Sequence, residues 1–241
     1  MRLLLVENDC GESVSALKTF HQGGFTVDHA GSGFDAIEML QHYDYDLAII
    51  DLSIDDLDGC DVIRRVRRAR VETPIIVTSQ GSSARDKIAT FNAGADDFIE
   101  RPYDDEELIA RLHAVARRSR GFSTAVITLG NLTIDLNAKS AFASGVSIPL
   151  TGKEYAILEL LVLRRGTILT KDAFLNHLYG GRDEPEMKII DVFICKLRRK
   201  LQEHGIGNLI GTVWGRGYVL MEEFQPVSRV INPQPSSLIN A

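Results

Sequence analysis

Residues 96–108 read DDFIERPYDDEEL. Phe98 and Ile99 form a short apolar run, Arg101 and Pro102 close it, and an acidic stretch opens the helical pattern DDEELIARLHAVARR. Proline suits a turn but neither a strand interior nor a helix interior, so it punctuates a strand–turn–helix unit. An arginine at the end of that strand needs a partner, and the rest of the front half supplies one.

The same unit occurs four times upstream. LLLV (3–6) precedes a helical pattern over 11–21, and FTVDHA (25–30) precedes one over 33–41. LAIIDL (47–52) leads into DVIRRVRRAR, and PIIVTS (74–79) into SSARDKIATFNAG. Five strand–helix units predict an α/β fold, a five-stranded doubly wound parallel sheet with helices on both faces. Such sheets bind ligands beyond the carboxyl ends of their strands. Those ends carry Glu7, Asn8 and Asp9, then Asp51, Ser79 and Arg101. Arg101 is therefore expected to face a carboxylate cluster centred on Asp51. Clustered carboxylates repel unless a cation joins them, and Mg²⁺ favours such oxygen ligands. A carboxylate beside Mg²⁺, a hydroxyl and a cationic side chain can accept a phosphoryl group. A solvated acidic strand end neutralised by Arg101 would show the same spacing.

Composition bounds the alternatives. The 241 residues suffice for two domains; 44% are apolar and 25% charged, and no run of eighteen apolar residues occurs. The start MRLLLVEN lacks a secretory pattern, so a cytoplasmic, non-membrane protein is expected. Cys10, Cys60 and Cys195 are isolated and fit neither a disulfide framework nor a zinc spacing. No P-loop, catalytic triad or metalloprotease motif is present, which argues against an enzyme. Residues 1–120 hold 14 Lys and Arg against 22 Asp and Glu, whereas residues 121–241 hold 13 against 11. An acidic front and a mildly basic back predict two modules with different partners.

RRSRGFSTA (117–125) reads as the linker, with Gly121 a flexible point. Behind it, Gly130, Asn137 and Gly145 punctuate short runs that predict a small antiparallel sheet. Thr151 and Glu154 form a capping box before a helix whose buried stripe is Tyr155, Leu158, Leu161 and Val162. A second helix, KDAFLNHLYG, follows Thr170 and stops at Gly180–Gly181. In the third, EPEMKIIDVFICKLRRKLQEHG, Ile190, Ile194, Leu197 and Leu201 make one apolar stripe, and Lys188, Lys196, Arg199 and Lys200 fall away from it. A helix with cations flanking small and apolar residues can enter a DNA major groove. NLIGTVWGRGYVL then predicts a hairpin displaying Arg216, so helix and hairpin together predict a winged helix. Trp214 is expected to pack under the hairpin. The last residues, from 224 onward, are rich in Pro, Ser and Asn and read as a disordered tail.

Residues 1–120 resemble a two-component receiver domain, and residues 126–223 resemble the winged-helix effector domain of the OmpR/PhoB type. The boundaries this implies are 1–118, a linker over 119–125, 126–223 and a tail over 224–241. The resemblance makes Asp51 the phospho-acceptor, Ser79 the switch hydroxyl and Phe98 the aromatic that turns inward on activation. Arg101 takes the place of the family's switch lysine. Glu7, Asn8, Asp9 and Asp51 would hold Mg²⁺. Lys87, Asp96, Asp97, Glu107, Arg111 and Arg118 alternate in sign and match the surface through which such receivers form homodimers. Val192 and Lys196 would meet bases, Lys188, Arg198 and Arg199 phosphates, while Thr212 and Arg216 serve the wing. GGRDEPE (180–186) lies where the family contacts RNA polymerase, and a sensor histidine kinase or phosphotransfer protein is the implied upstream partner. Three positions depart from the pattern: Asn8 stands for an acid, Arg101 for a lysine, and Asp55 for a frequent proline. A standing Arg101–Asp51 pair would compete with metal and phosphate, so weakened or absent phosphorylation is expected. The alternatives are a conventionally phosphorylated regulator, and an adaptor that titrates a kinase or related regulator.

Overall fold

A computed structural model of the chain describes residues 1–8, 13–179 and 185–221. The front unit alternates β1 (Arg2–Val6), α1 (Ser13–Gln22), β2 (Thr26–Ala30), α2 (Gly33–His42), β3 (Leu47–Asp51) and α3 (Gly59–Arg68). It continues with β4 (Ile75–Gln80), α4 (Ala84–Ala93), β5 (Asp97–Arg101) and α5 (Asp105–Ser119). The strands form one sheet in the order β2-β1-β3-β4-β5, with every pairing parallel. The five units expected from the sequence are therefore present.

Alternation along each strand explains the two cores. Leu4, Val6, Ala48, Ile50, Ile75 and Val77 pack with Ala36, Leu40, Val62 and Val66 on one face. Leu3, Leu5, Leu47, Ile49 and Ile76 pack with Phe20, Leu108 and Leu112 on the other. Successive side chains point to opposite faces, so a strand covered on both sides must be apolar throughout. All five residues of β3 are buried. Its carboxyl end leaves Asp51 only 8% exposed at the mouth of the sheet.

The rear unit begins with an antiparallel meander, β6 (Val126–Leu129), β7 (Leu132–Asp135), β8 (Ser140–Ala143) and β9 (Val146–Ile148). Then come α6 (Gly152–Leu163), α7 (Lys171–Tyr179), α8 (Lys188–Glu203) and the hairpin β10 (Ile210–Val213) to β11 (Gly217–Leu220). The capping box forms: Thr151 N–H donates to Glu154 Oε2 at 2.8 Å, and Thr151 Oγ1 accepts from Glu154 N–H at 3.4 Å. Tyr155, Leu158, Leu161 and Val162 of α6 join Ile190, Ile194, Leu197 and Leu201 of α8 in one core. Leu169 and Tyr218 exchange backbone hydrogen bonds, which ties the hairpin to the segment entering α7. Gly217 is required at that crossing: its φ is +139°, and a Cβ would collide with the Leu169 carbonyl.

The segment between the units is anchored at both ends rather than loose throughout. Phe122 packs against the rear core, with the Arg165 guanidinium 5.3 Å from its ring centroid, and Arg120 bonds Asp46 of the front unit. The expected stop of α7 at Gly180–Gly181, Asp9, Cys10 and the tail lie outside the described residues. No helix among the described residues is long and apolar enough to cross a membrane.

Candidate functional site

Arg101, at the end of β5, meets two acids from two other strands. Its Nη1 lies 2.8 Å from Asp51 Oδ2, and its Nη2 donates to Glu7 Oε2 at 3.0 Å and to Thr78 Oγ1 at 3.4 Å. The guanidinium thus bridges the acid end of β3 and the residue following β1. Burial works against its charge, but Asp51, Tyr103 and Glu7 more than offset that and hold its pKa above the ordinary arginine value. The arginine faces the Asp51 cluster, as the sequence predicts, and it also binds a second carboxylate.

The two other departures prove to be partners. Asn8 Nδ2 donates to Ser53 O and Asp55 Oδ1, both at 2.9 Å, and Asn8 Oδ1 accepts from Asp55 N–H at 3.1 Å. A proline at 55 would have no N–H to give. Asp51 Oδ1 accepts from Ser53 N–H at 2.9 Å, so both of its oxygens are engaged. Ser79, 5% exposed on β4, borders a cavity of about 570 Å³ with Ser53, Asp58 and Cys60. Phe98 is half-buried against the core, and Lys87 Nζ sits 5.4 Å from its ring centroid.

The charges expected at a dimer surface pair within the chain. Lys87 bonds Glu100 at 2.6 Å, Asp96 bonds Arg67 at 3.0 Å, and Arg111 bonds Asp97 at 3.2 Å and Glu107 at 2.7 Å. Arg118 is exposed. Ile88 and Phe91 of α4 stand beside them, 61% and 48% exposed.

On the rear unit, Lys188, Val192, Cys195, Lys196 and Arg199 form one exposed stripe of α8, opposite the buried one. Thr212 and Arg216 are exposed on the adjoining hairpin. One of the expected DNA contacts is already engaged within the chain, and one expectation, for Trp214, needs correction. Arg198 does not join the open stripe: its Nε and Nη2 donate to Ile210 O at 3.1 and 2.8 Å, and Nη2 donates to Thr212 Oγ1 at 2.7 Å. The hairpin crosses that flank of the helix and claims the guanidinium. Trp214 does not pack under the hairpin, because the turn between β10 and β11 projects it outward, 91% exposed. Lys200 is likewise engaged, bonding Glu154 Oε2 and Pro149 O, both at 2.7 Å.

Comparison with known proteins settles the family. The response regulator receiver domain model matches residues 3–113, and the model for the C-terminal domain of transcriptional regulatory proteins matches residues 145–220. The cell cycle transcriptional regulator CtrA of Caulobacter vibrioides is 48% identical over 229 residues, 95% of this chain and 99% of the relative. The CtrA of Brucella anthropi is 49% identical over 223 residues, 92% and 96% of the two chains. The chain belongs to the two-component response regulators of the OmpR/PhoB type. Among solved structures, the Thermotoga maritima OmpR/PhoB homologue DrrB is 25% identical, covering 91% of this chain and 99% of that one, with a TM-score of 0.44.

The chain is thus a CtrA-like transcriptional response regulator, a class that is not generally enzymatic, with a receiver and a DNA-binding winged helix. Receivers of the family typically bind Mg²⁺ at the phosphorylation site. Glu7 and Asp51 share a guanidinium, and the Asn8 oxygen is taken by Asp55 N–H. Among the described residues, no three His, Cys, Asp or Glu side chains are grouped to hold a metal. Sequence reasoning found Arg101 and the α8 stripe. It missed the Asn8–Asp55 pairing, whose signal was two departures from one pattern in the same chain.

Proposed function

We propose that this regulator binds promoter DNA sequence-specifically and does so without depending on phosphorylation of Asp51. The observation that carries the reading is the Arg101 guanidinium seated between Asp51 and Glu7. A resident cation neutralises the acids that would otherwise call for Mg²⁺, and it engages the oxygen that would attack a phosphoryl donor. The metal site formed by Glu7, Asn8, Asp9 and Asp51 is weakened accordingly, and Ser79 and Phe98 lose the trigger that would move them.

Lys196 and Val192 read base edges in the major groove, Lys188 and Arg199 hold phosphates, and Arg216 with Thr212 places the wing. Arg198 braces the wing from behind. The molecule works as a homodimer through α4, β5 and α5. There Lys87, Asp96, Asp97, Glu107, Arg111 and Arg118 exchange some of their internal partners for those of a second copy. Its DNA targets overlap those of CtrA, so the two regulators cooperate or compete. RNA polymerase meets residues 180–186, most of which lie outside the described residues, and a sensor kinase or phosphotransfer protein meets the receiver. The functional boundaries are 1–118 for the receiver and 126–223 for the DNA-binding module, in a cytoplasmic protein.

The test compares DNA binding by wild type and Asp51→Ala, each with and without acetyl phosphate and Mg²⁺. Equal affinities in all four arms are expected. Stoichiometric phosphorylation of Asp51 accompanied by tighter DNA binding would refute the proposal.

A further inference from the structure

Asp46 stands at the amino end of β3, five residues before Asp51, and is only 6% exposed. Its Oδ1 accepts from Arg120 Nη2 at 2.8 Å and from Arg164 Nη2 at 3.0 Å. Its Oδ2 accepts from Arg2 N–H at 2.8 Å and lies 4.0 Å from His177 Nδ1. Arg120 caps α5, Arg164 caps α6 and His177 lies on α7. One receiver carboxylate therefore gathers a cation from the cap of α5 and another from the DNA-binding module. A cavity of about 280 Å³ beside it is walled by Arg2, Tyr43 and Asp44 on one side and Leu160, Asn176 and His177 on the other.

A carboxylate this buried is costly unless its partners stay in place, and removing one partner strands the rest. Such a cluster contributes little net attraction compared with apolar packing, but it discriminates sharply between arrangements that pair it and those that do not. Phe122, fixed against the rear core, shortens the free connection between the modules. In this pose Lys188, Val192, Lys196 and Arg199 all remain exposed.

We propose that Asp46 is an interdomain latch that seats the DNA-binding module on the amino-terminal edge of the receiver sheet, at the pole opposite Asp51, in a pose open to DNA. The latch is independent of the reading of Asp51 above, since it rests on no property of the phosphorylation site. β3 carries an acid at each end, each held by arginine, about 16 Å apart by strand rise.

The test uses the full chain and three variants. Arg164→Gln removes the cation contributed by the DNA-binding module and leaves the Asp46–Arg120 pair, Asp46→Asn keeps an acceptor for Arg2 N–H, and Arg164→Lys keeps the charge. Limited proteolysis within 121–125 and small-angle scattering report the open population. Cleavage about tenfold faster and a larger radius of gyration are expected for the Gln and Asn variants, with the Lys variant close to wild type. Unchanged cleavage and scattering in both neutral variants would overturn the latch. So would an altered far-UV spectrum in Arg164→Gln, which would assign Arg164 to the fold of its own module.

Discussion

Arg101 is shared between two carboxylates, with Nη1 2.8 Å from Asp51 and Nη2 3.0 Å from Glu7. The planar fork of a guanidinium can span two acids, whereas an ammonium is a compact charge on a flexible stem. Arg101→Lys is therefore expected to free oxygens on Asp51 and Glu7. Mg²⁺ affinity, by calorimetry, and acetyl-phosphate labelling of Asp51, by intact mass, should each rise about tenfold, a gain of about 1.4 kcal/mol. If neither changes, the arginine is not what suppresses the site.

The exposed stripe of α8 separates two kinds of DNA contact. Lys196→Ala should relax sequence preference by about 1–3 kcal/mol against the favoured base and leave nonspecific affinity nearly unchanged. Arg199→Ala should weaken all sequences alike and lower the salt slope by about 1. Fluorescence anisotropy with specific and scrambled duplexes at several salt concentrations distinguishes these outcomes.

Arg198 is expected to behave as a structural residue. Its bonds to Ile210 O and Thr212 Oγ1 hold β10 against α8. Arg198→Ala should destabilise the DNA-binding module by about 1–2 kcal/mol, measured by urea unfolding. A salt slope reduced as much as in Arg199→Ala, with unchanged stability, would make it a phosphate contact after all. Trp214→Ala, by contrast, should leave the unfolding midpoint where it is, because the indole is 91% exposed.

His113 gives the receiver a pH dependence. Burial lowers its pKa to about 4 from an ordinary 6.5, despite a ring nitrogen 3.2 Å from Gly23 O, and its ring lies tilted against Phe25 with centroids 4.9 Å apart. The folded value lies below the unfolded one, so this contribution is complete above pH 6.5. It is lost as pH falls toward 4, by up to about 1.4 kcal/mol per unit. Urea unfolding at pH 7.5 and 5.5 should show a smaller difference in His113→Phe than in wild type. Equal differences would mean that the ring takes up its proton as readily in the folded chain as in the unfolded one.

Much of the fold was readable because single periodicities determined it. The continuous apolar runs of β1, β3 and β4 require cover on both faces, and the intervals between Ile190, Ile194, Leu197 and Leu201 require one buried face. Arg101 was readable because strand ends converge in a parallel sheet. Contacts between distant segments were not. A helical wheel places Arg198 off the apolar stripe but cannot show that residues 210–213 cross that flank. Asp46 resembles any solvated acid before a strand, and only the docked α6 and α7 reveal its burial. Trp214 is a large aromatic, and composition alone favours packing it inside, whereas the turn geometry turns it out.

The hydrogen bonds linking Asn8 and Asp55 couple the two positions energetically. Restoring an acid at position 8 alone would replace the amide that donates to Ser53 O and Asp55 Oδ1 with a carboxylate facing both. Restoring proline at 55 alone would take away the N–H that Asn8 Oδ1 accepts. Each change strips the other residue of a partner, so the two positions behave as one unit, and replacing both together should cost less than the sum of the separate replacements.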